Sequence, residues 1–252
     1  MNVEQKGIYA STNEVYIPFH CSTHVFSIED ACKCMQKYRV ILGFGDSFMR
    51  RILSSWMTDS VLVNAYEKET RAPDNATVLE ESSFLPCEHT GSVNRVFKLS
   101  AWLFQHLYTK VLPTLDSFQA QGLEVDLLFV GFGIHNIWQN ATDISLFIRD
   151  TIEVLTRHPS TLAAHIFWIL PHWTDTTKLM YPYNISKASQ NDRILSFNNL
   201  VKQHVVDAAP SWTVLDFFPL TIERANKAQD AAHFDGSVFR WKNQILLNSL
   251  CS

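Results

Sequence analysis

The stretch VDLLFVGFG, residues 125–133, is apolar at nearly every position and closes on glycine. A strand with one wet face alternates apolar and polar residues, so a run without alternation belongs in a sheet covered on both sides. The same reading applies to RVILGF (39–44), AAHIFWILP (163–171) and WTVLDFF (212–218). Between these runs lie segments of helical period. SFMRRILSSWMTD (47–59) puts Phe48, Ile52 and Trp56 on one face. Residues 100–120 form a longer candidate that Pro113 kinks or divides. DISLFIRDTIEVLTRH (143–158) stops before Pro159, and 191–209 and 237–250 complete the helical set. Short strands are expected at 60–66, within 77–84 and at 94–99. Buried strands alternating with amphipathic helices require parallel pairing through right-handed crossovers. The fold class expected is α/β, a three-layer α/β/α sandwich on a mainly parallel central sheet.

At 252 residues the chain suits one such domain. Residues 1–37 show no sustained period beyond one short helix around SIEDACKCMQ; they read as an irregular segment packed on the domain formed by 38–252. Hydrophobic residues at 46 % and charged residues at 18 % supply a sizeable core and exclude global disorder. The formal charge of −4 is interspersed, without the basic stripe that marks a nucleic-acid partner. No apolar run approaches the roughly 20 residues that span a bilayer, and the opening residues lack the pattern of a signal peptide. Sequons at Asn75, Asn140 and Asn184 pull toward the secretory pathway instead, and localisation stays open. Five cysteines allow two disulfides and one remaining thiol; Cys32-x-Cys34 has no second pair at zinc-like spacing, and no metal or cofactor is expected.

In a parallel α/β sheet, ligand sites form beyond the carboxyl ends of the strands. GFGDSFMRR (43–51), GFGIHN (131–136) and LPHW (170–173) all sit at such ends, and the loop holding Asp230 and His233 reaches the same rim. Gly43-x-Gly45 is followed by Phe48 where a dinucleotide fingerprint needs glycine; P-loop and G-x-S-x-G patterns are also absent. A serine hydroxyl becomes a nucleophile when a base within hydrogen-bond reach is itself oriented by a third group. Asp230-Ala231-Ala232-His233 offers base and orienting carboxylate in one loop, with Ser47 at the end of the first strand. Gly-Asp-Ser alone is an ordinary turn, and an isolated D-x-x-H is a common accident. Their joint placement carries the reading.

GDSFMR together with DAAHFD near the C-terminus resembles the SGNH (GDSL-type) hydrolase superfamily. The arginine of Gly-Asp-Ser-x-x-Arg, here Arg50, is similar to that of the PC-esterase branch, as are the lead-in CKCMQKYRVIL and the ending HFDGSVFRWKNQILLNSLC. That branch contains the trichome-birefringence-like and sialate O-acetyltransferases and the neurexophilin-and-PC-esterase proteins. The resemblance is anchored at both ends of residues 32–251. It implies Ser47 as nucleophile, His233 as base and Asp230 as its partner, while Asp46 shapes the turn. It also implies an oxyanion hole built from the Ser47 N–H, a middle-block glycine and a side chain after the third strand. Gly91, with Asn94 as substitute, matches the middle block; in the third block His135 stands where asparagine is expected and Asn136 follows, so either could donate. His172 is expected to line the cleft, and Trp138 and Trp173 could stack on a sugar. The expected activity is that of an O-acyl esterase or acyltransferase, most plausibly on O-acetyl groups of a carbohydrate. Its partner would be a small-molecule or polysaccharide ester, with oligomeric state unread. A catalytically silent carbohydrate-binding domain and a lipase or thioesterase are the alternatives.

Overall fold

The computed structural model describes residues 2–4, 7–9, 16–18, 24–56, 79–82, 94–177, 189–229 and 233–251. Its strands are β1 (Asn2–Glu4), β2 (Gly7–Tyr9), β3 (Tyr16–Pro18), β4 (Val40–Gly45), β5 (Leu79–Ser82), β6 (Arg95–Ser100), β7 (Leu127–Gly131), β8 (His165–Ile169) and β9 (Thr213–Asp216). The α-helices are α1 (Ile28–Met35), α2 (Ser47–Trp56), α3 (Leu112–Ala120), α4 (Ala141–Arg157), α5 (Ser189–Ala208), α6 (Phe218–Ile222) and α7 (Gly236–Cys251). A seven-stranded sheet runs in the order β1-β9-β8-β7-β4-β6-β5, parallel except for β5, while β2 and β3 form a separate antiparallel pair. The three-layer α/β sandwich expected from the sequence is the architecture found.

Residue alternation along β4 shows how the layers are built. Val40, Leu42 and Phe44 point into the core beneath α3, α4 and α5, joined there by Leu115, Phe118, Ile148 and Phe197. Ile41 points to the opposite layer, with Met35 of α1, Met49, Ile52 and Leu53 of α2, and Leu246 of α7. Full burial of a side chain such as Leu42 or Phe44 contributes about 2–3 kcal/mol. Gly45 lies on this second face, where a Cβ would stand 2.5 Å from the Gly131 carbonyl oxygen. Any side chain there would force β4 and β7 apart beneath α2.

In the N-terminal segment the short helix expected around SIEDACKCMQ is present as α1, and short strands are found where no period was read. Residues 2–4 add a parallel strand to β9, and α1 begins on a reciprocal capping box in which Ser27 Oγ accepts from the Asp30 N–H and Asp30 accepts from the Ser27 N–H. Cys34, at the end of α1, is disulfide-bonded to Cys251, at the end of α7, and Cys32 is disulfide-bonded as well. Pro113 does divide its helix: one π-helical turn at Leu107–Val111 precedes α3, and residues 101–104 form a loop. The strand expected at 60–66 lies outside the described residues. No helix among the described residues is long and apolar enough to cross a membrane.

After β4 the chain enters the edge strand β5 and returns through β6 on one side of β4, then crosses to β7 on the other. The carboxyl end of β4 is therefore the switch point of the sheet, where clefts open in such folds.

Candidate active site

Asp46 turns β4 into α2. Its Oδ1 accepts the Phe48 N–H at 2.9 Å, and its carbonyl accepts the Arg50 N–H at 3.0 Å, so donors left over at the helix start are taken by one residue. The Asp46 N–H donates to the Gly131 carbonyl at 3.1 Å, tying this turn to the end of β7, and the Met49 and Ile134 N–H groups lie toward the carboxylate. Burial pushes the Asp46 pKa up, with the His135 charge and these N–H groups pulling the other way. Asp46 is committed to the turn and is only 2 % exposed. Among the described residues the Ser47 N–H has no acceptor, as expected for the first residue of a helix. That donor and the adjacent hydroxyl stand together at the helix N-terminus.

His233 reaches this point from the far end of the chain. Its Nε2 lies 2.9 Å from Ser47 Oγ across 186 residues of sequence. The loop that carries it is closed by an antiparallel bridge between Ala228 and Phe234 and by a 2.7 Å bond from the Gln229 N–H to the His233 carbonyl. Asp235 then caps α7, accepting from the Ser237 N–H at 3.0 Å and pairing with Lys227 at 3.7 Å. Asp230 lies outside the described residues.

Two loops flank the serine. Gly133 adopts φ 152°, and a Cβ there would collide with Pro171 and Phe197, so the turn leading to His135 requires glycine. Asn136 is fully buried: its Nδ2 donates to the Trp102 carbonyl at 2.7 Å and its Oδ1 accepts the Phe104 N–H at 3.3 Å. This corrects the expectation that Asn136 could serve a substrate, because its amide joins the loop after β7 to the loop after β6. His135, next to it, is exposed, with its ring 6.4 Å from that of Trp102. His106 fixes the second loop by accepting the Trp102 and Leu103 N–H groups on Nδ1 at 3.1 and 3.2 Å. Burial lowers the His106 pKa, and Lys110 adds repulsion, which suits the neutral ring that this acceptor role needs.

Of the two residues expected for the middle block, Asn94 is among the described residues and Gly91 is not. Chain pairing sets Ser100 opposite Gly45, and the Ala101 N–H donates to the Gly45 carbonyl at 3.0 Å, so the strand beside β4 reaches the Ser47 rim through Ala101 and Trp102. Asn94 sits at the other rim, donating to the Met35 carbonyl at 2.7 Å and to the Tyr38 carbonyl, and Gly91 lies outside the described residues. Arg50 is half-buried in the first turn of α2, and its Nε has no hydrogen-bond partner among the described residues.

His172 also differs from expectation. It is 2 % exposed, stacked on Phe48 at 3.7 Å between ring centroids, and its Nδ1 lies 2.8 Å from Nζ of the equally buried Lys242. The ring is thus covered by Phe48 rather than open at the rim. Burial holds the Lys242 pKa well below the ordinary lysine value; Arg51 adds like-charge repulsion and Asp46 opposes it. Nothing in the local sequence FRWKNQ marks Lys242, because its role is visible only once α7 meets the loop after β8.

No family model matches this sequence, and no curated protein matches it. Solved structures do. A variant of an acetyl xylan esterase from Geobacillus stearothermophilus superposes with a TM-score of 0.54 at 14 % identity, covering 84 % of this chain and 94 % of that one. A peptidoglycan O-acetylesterase superposes with a TM-score of 0.50 at 12 % identity, covering 88 % of this chain and 93 % of the other. The likeness is one of fold: the chain has the α/β sandwich of the SGNH hydrolases.

Proposed function

We propose that this protein is a serine-dependent O-acyl esterase or acyltransferase of the PC-esterase type, acting on O-acetyl groups of a carbohydrate. The observation that carries the reading is the 2.9 Å approach of His233 Nε2 to Ser47 Oγ at the sheet's switch point, beside a Ser47 N–H that has no acceptor among the described residues. In this scheme Ser47 Oγ attacks the ester carbonyl carbon while His233 Nε2 takes its proton. The carbonyl oxygen becomes an oxyanion facing the Ser47 N–H and the exposed His135 ring. Charge stabilisation of this kind is commonly the largest contribution to acyl transfer. As the tetrahedral intermediate collapses, the imidazolium returns the proton to the departing sugar oxygen. Water or a second sugar hydroxyl, deprotonated by His233, then releases the acyl group and restores Ser47. Asp230, three residues before His233 in sequence, is assigned the role of orienting the ring and stabilising its charge.

Support for an acetyl ester of a polymer comes from the names of the two proteins with this fold, an acetyl xylan esterase and a peptidoglycan O-acetylesterase. The disulfide between Cys34 and Cys251 favours maturation in an oxidising compartment, where such polymers are met. The test is ester turnover. Wild type should hydrolyse p-nitrophenyl acetate and release acetate from acetylated polysaccharide, with Ser47→Ala inactive. Equal turnover by wild type and Ser47→Ala would remove the nucleophile assignment, and a preference for long-chain esters would move the reading to a lipase.

A further inference from the structure

Ser47 and His233 share a feature that their separation in sequence hides: each is followed by a phenylalanine, and both rings turn inward onto His172. The Phe48 ring lies 3.7 Å from the His172 ring at an interplanar angle of 31°, and the Phe234 ring lies 5.3 Å away at 75°. Phe48 also meets the His233 ring edge-on at 5.9 Å. Behind His172, Lys242 is enclosed by the rings of Phe48, Phe217, Phe234 and Phe239, whose centroids lie 6.0, 5.6, 5.6 and 5.2 Å from its Nζ. Its hydrogen bond to His172 Nδ1 is 2.8 Å long. The bond fixes the rotation of the imidazole whichever partner holds the shared proton.

We propose that Lys242 is a positioning residue which, by tethering His172 between Phe48 and Phe234, sets the distance between Ser47 and His233. The proposal rests on the reading of those two residues as nucleophile and base. Three separate parts of the chain meet here: the β4–α2 turn, the loop after β8, and the loop into α7. Within this contact set His172 is the ring that touches the neighbours of both reacting residues, and Lys242 is hydrogen-bonded to that ring. A buried lysine–histidine pair is an expensive way to fill a hydrophobic space, since apolar residues of similar volume are commonly as stable or more so. Its cost is intelligible if it fixes geometry, because a misplacement of about 1 Å can lower a rate by about 10²-fold.

That cost also supplies the test. In Lys242→Met/His172→Phe the polar pair is replaced by apolar side chains of similar size, so the variant should melt at or above the wild-type temperature. It should nonetheless react with a fluorophosphonate ~10–100-fold more slowly, with kcat on p-nitrophenyl acetate reduced in step and KM within about twofold. Phe234→Leu forms the second arm. It cuts the contact from the His233 side while leaving the Lys242–His172 bond in place, and the same split into low kcat and unchanged KM is expected. Wild-type labelling and turnover in either variant, or a loss confined to KM, would overturn the proposal. Failure of the functional reading is distinguishable, because wild type itself would then resist the fluorophosphonate.

Discussion

Among the described residues, serine–histidine side-chain hydrogen bonds stand at two contrasting places, and the shorter of them lies away from the switch point of the sheet. Ser145 Oγ lies 2.6 Å from His204 Nε2, where α4 packs against α5; Ser47 Oγ lies 2.9 Å from His233 Nε2. Distance alone would favour the first. Ser145, however, sits inside α4, so its N–H is committed to the helix ladder and no backbone donor faces its hydroxyl. Ser47 is the first residue of α2, and its N–H has no acceptor among the described residues. The Ser145 pair fastens two helices on a flank of the sandwich. The Ser47 pair stands at the carboxyl end of the central strand, between the loops that carry Trp102 and His135. The proposed nucleophile thus differs from the clasp in the backbone around its hydroxyl and in its place in the sheet.

The comparison can be broken at once by exchanging the serines. Ser47→Ala should lower ester turnover by on the order of 10³-fold or more, as removal of a nucleophile does, while Ser145→Ala should leave it within about twofold. Steady-state kinetics on p-nitrophenyl acetate decides this, and loss of activity in the Ser145 variant would contradict the assignment. The histidines should follow the same division. His233→Ala should cost about 10²-fold or more, and His204→Ala should leave turnover unchanged. The latter variant should lose only the 0.5–1.5 kcal/mol or so typical of one hydrogen bond, read from urea denaturation.

A smaller effect sharpens the role of the loops beside Ser47. Asn136→Ala leaves the Trp102 carbonyl and the Phe104 N–H without their buried partner, and should destabilise the fold by about 1–3 kcal/mol. The smallest effect concerns pH. The folded-state pKa of His106 lies below its ordinary value of 6.5, so its contribution to stability is complete above that pH and is lost as pH falls through the lowered value. His106→Gln keeps an acceptor without a proton to gain. Melting curves between about pH 7 and about pH 5 should therefore show wild type losing more stability on acidification than the variant. Parallel curves would remove His106 as the acceptor that holds the Trp102 loop.

Much of this arrangement is legible in the chain because its signals are local. A strand apolar on both faces, ended by Gly45 and followed by Asp46, announces the turn that presents Ser47, and His233 stands shortly before α7, as its place ahead of the last helical stretch suggests. What escapes is decided by tertiary placement. Asn136 and His135 are adjacent in sequence, and only the turn after Gly133 determines which is buried and which faces outward. Trp102 occupies the rim beside Ser47 because β6 lies next to β4, a neighbour relation that the sequence of β6 does not carry. His172 does follow a strand end, as its position suggests, but Phe48 and Phe234 cover it and Lys242, 70 residues later, bonds to it. The strand at Asn2–Glu4 is three residues long and takes its conformation from pairing with β9, so no periodicity could disclose it.

The most direct measurement is fluorophosphonate labelling followed by intact-mass and peptide analysis of wild type, Ser47→Ala and Ser145→Ala. The account predicts one adduct per chain, located on Ser47, present in the Ser145 variant and absent from the Ser47 variant. An adduct on Ser145, or one that persists in Ser47→Ala, would contradict it.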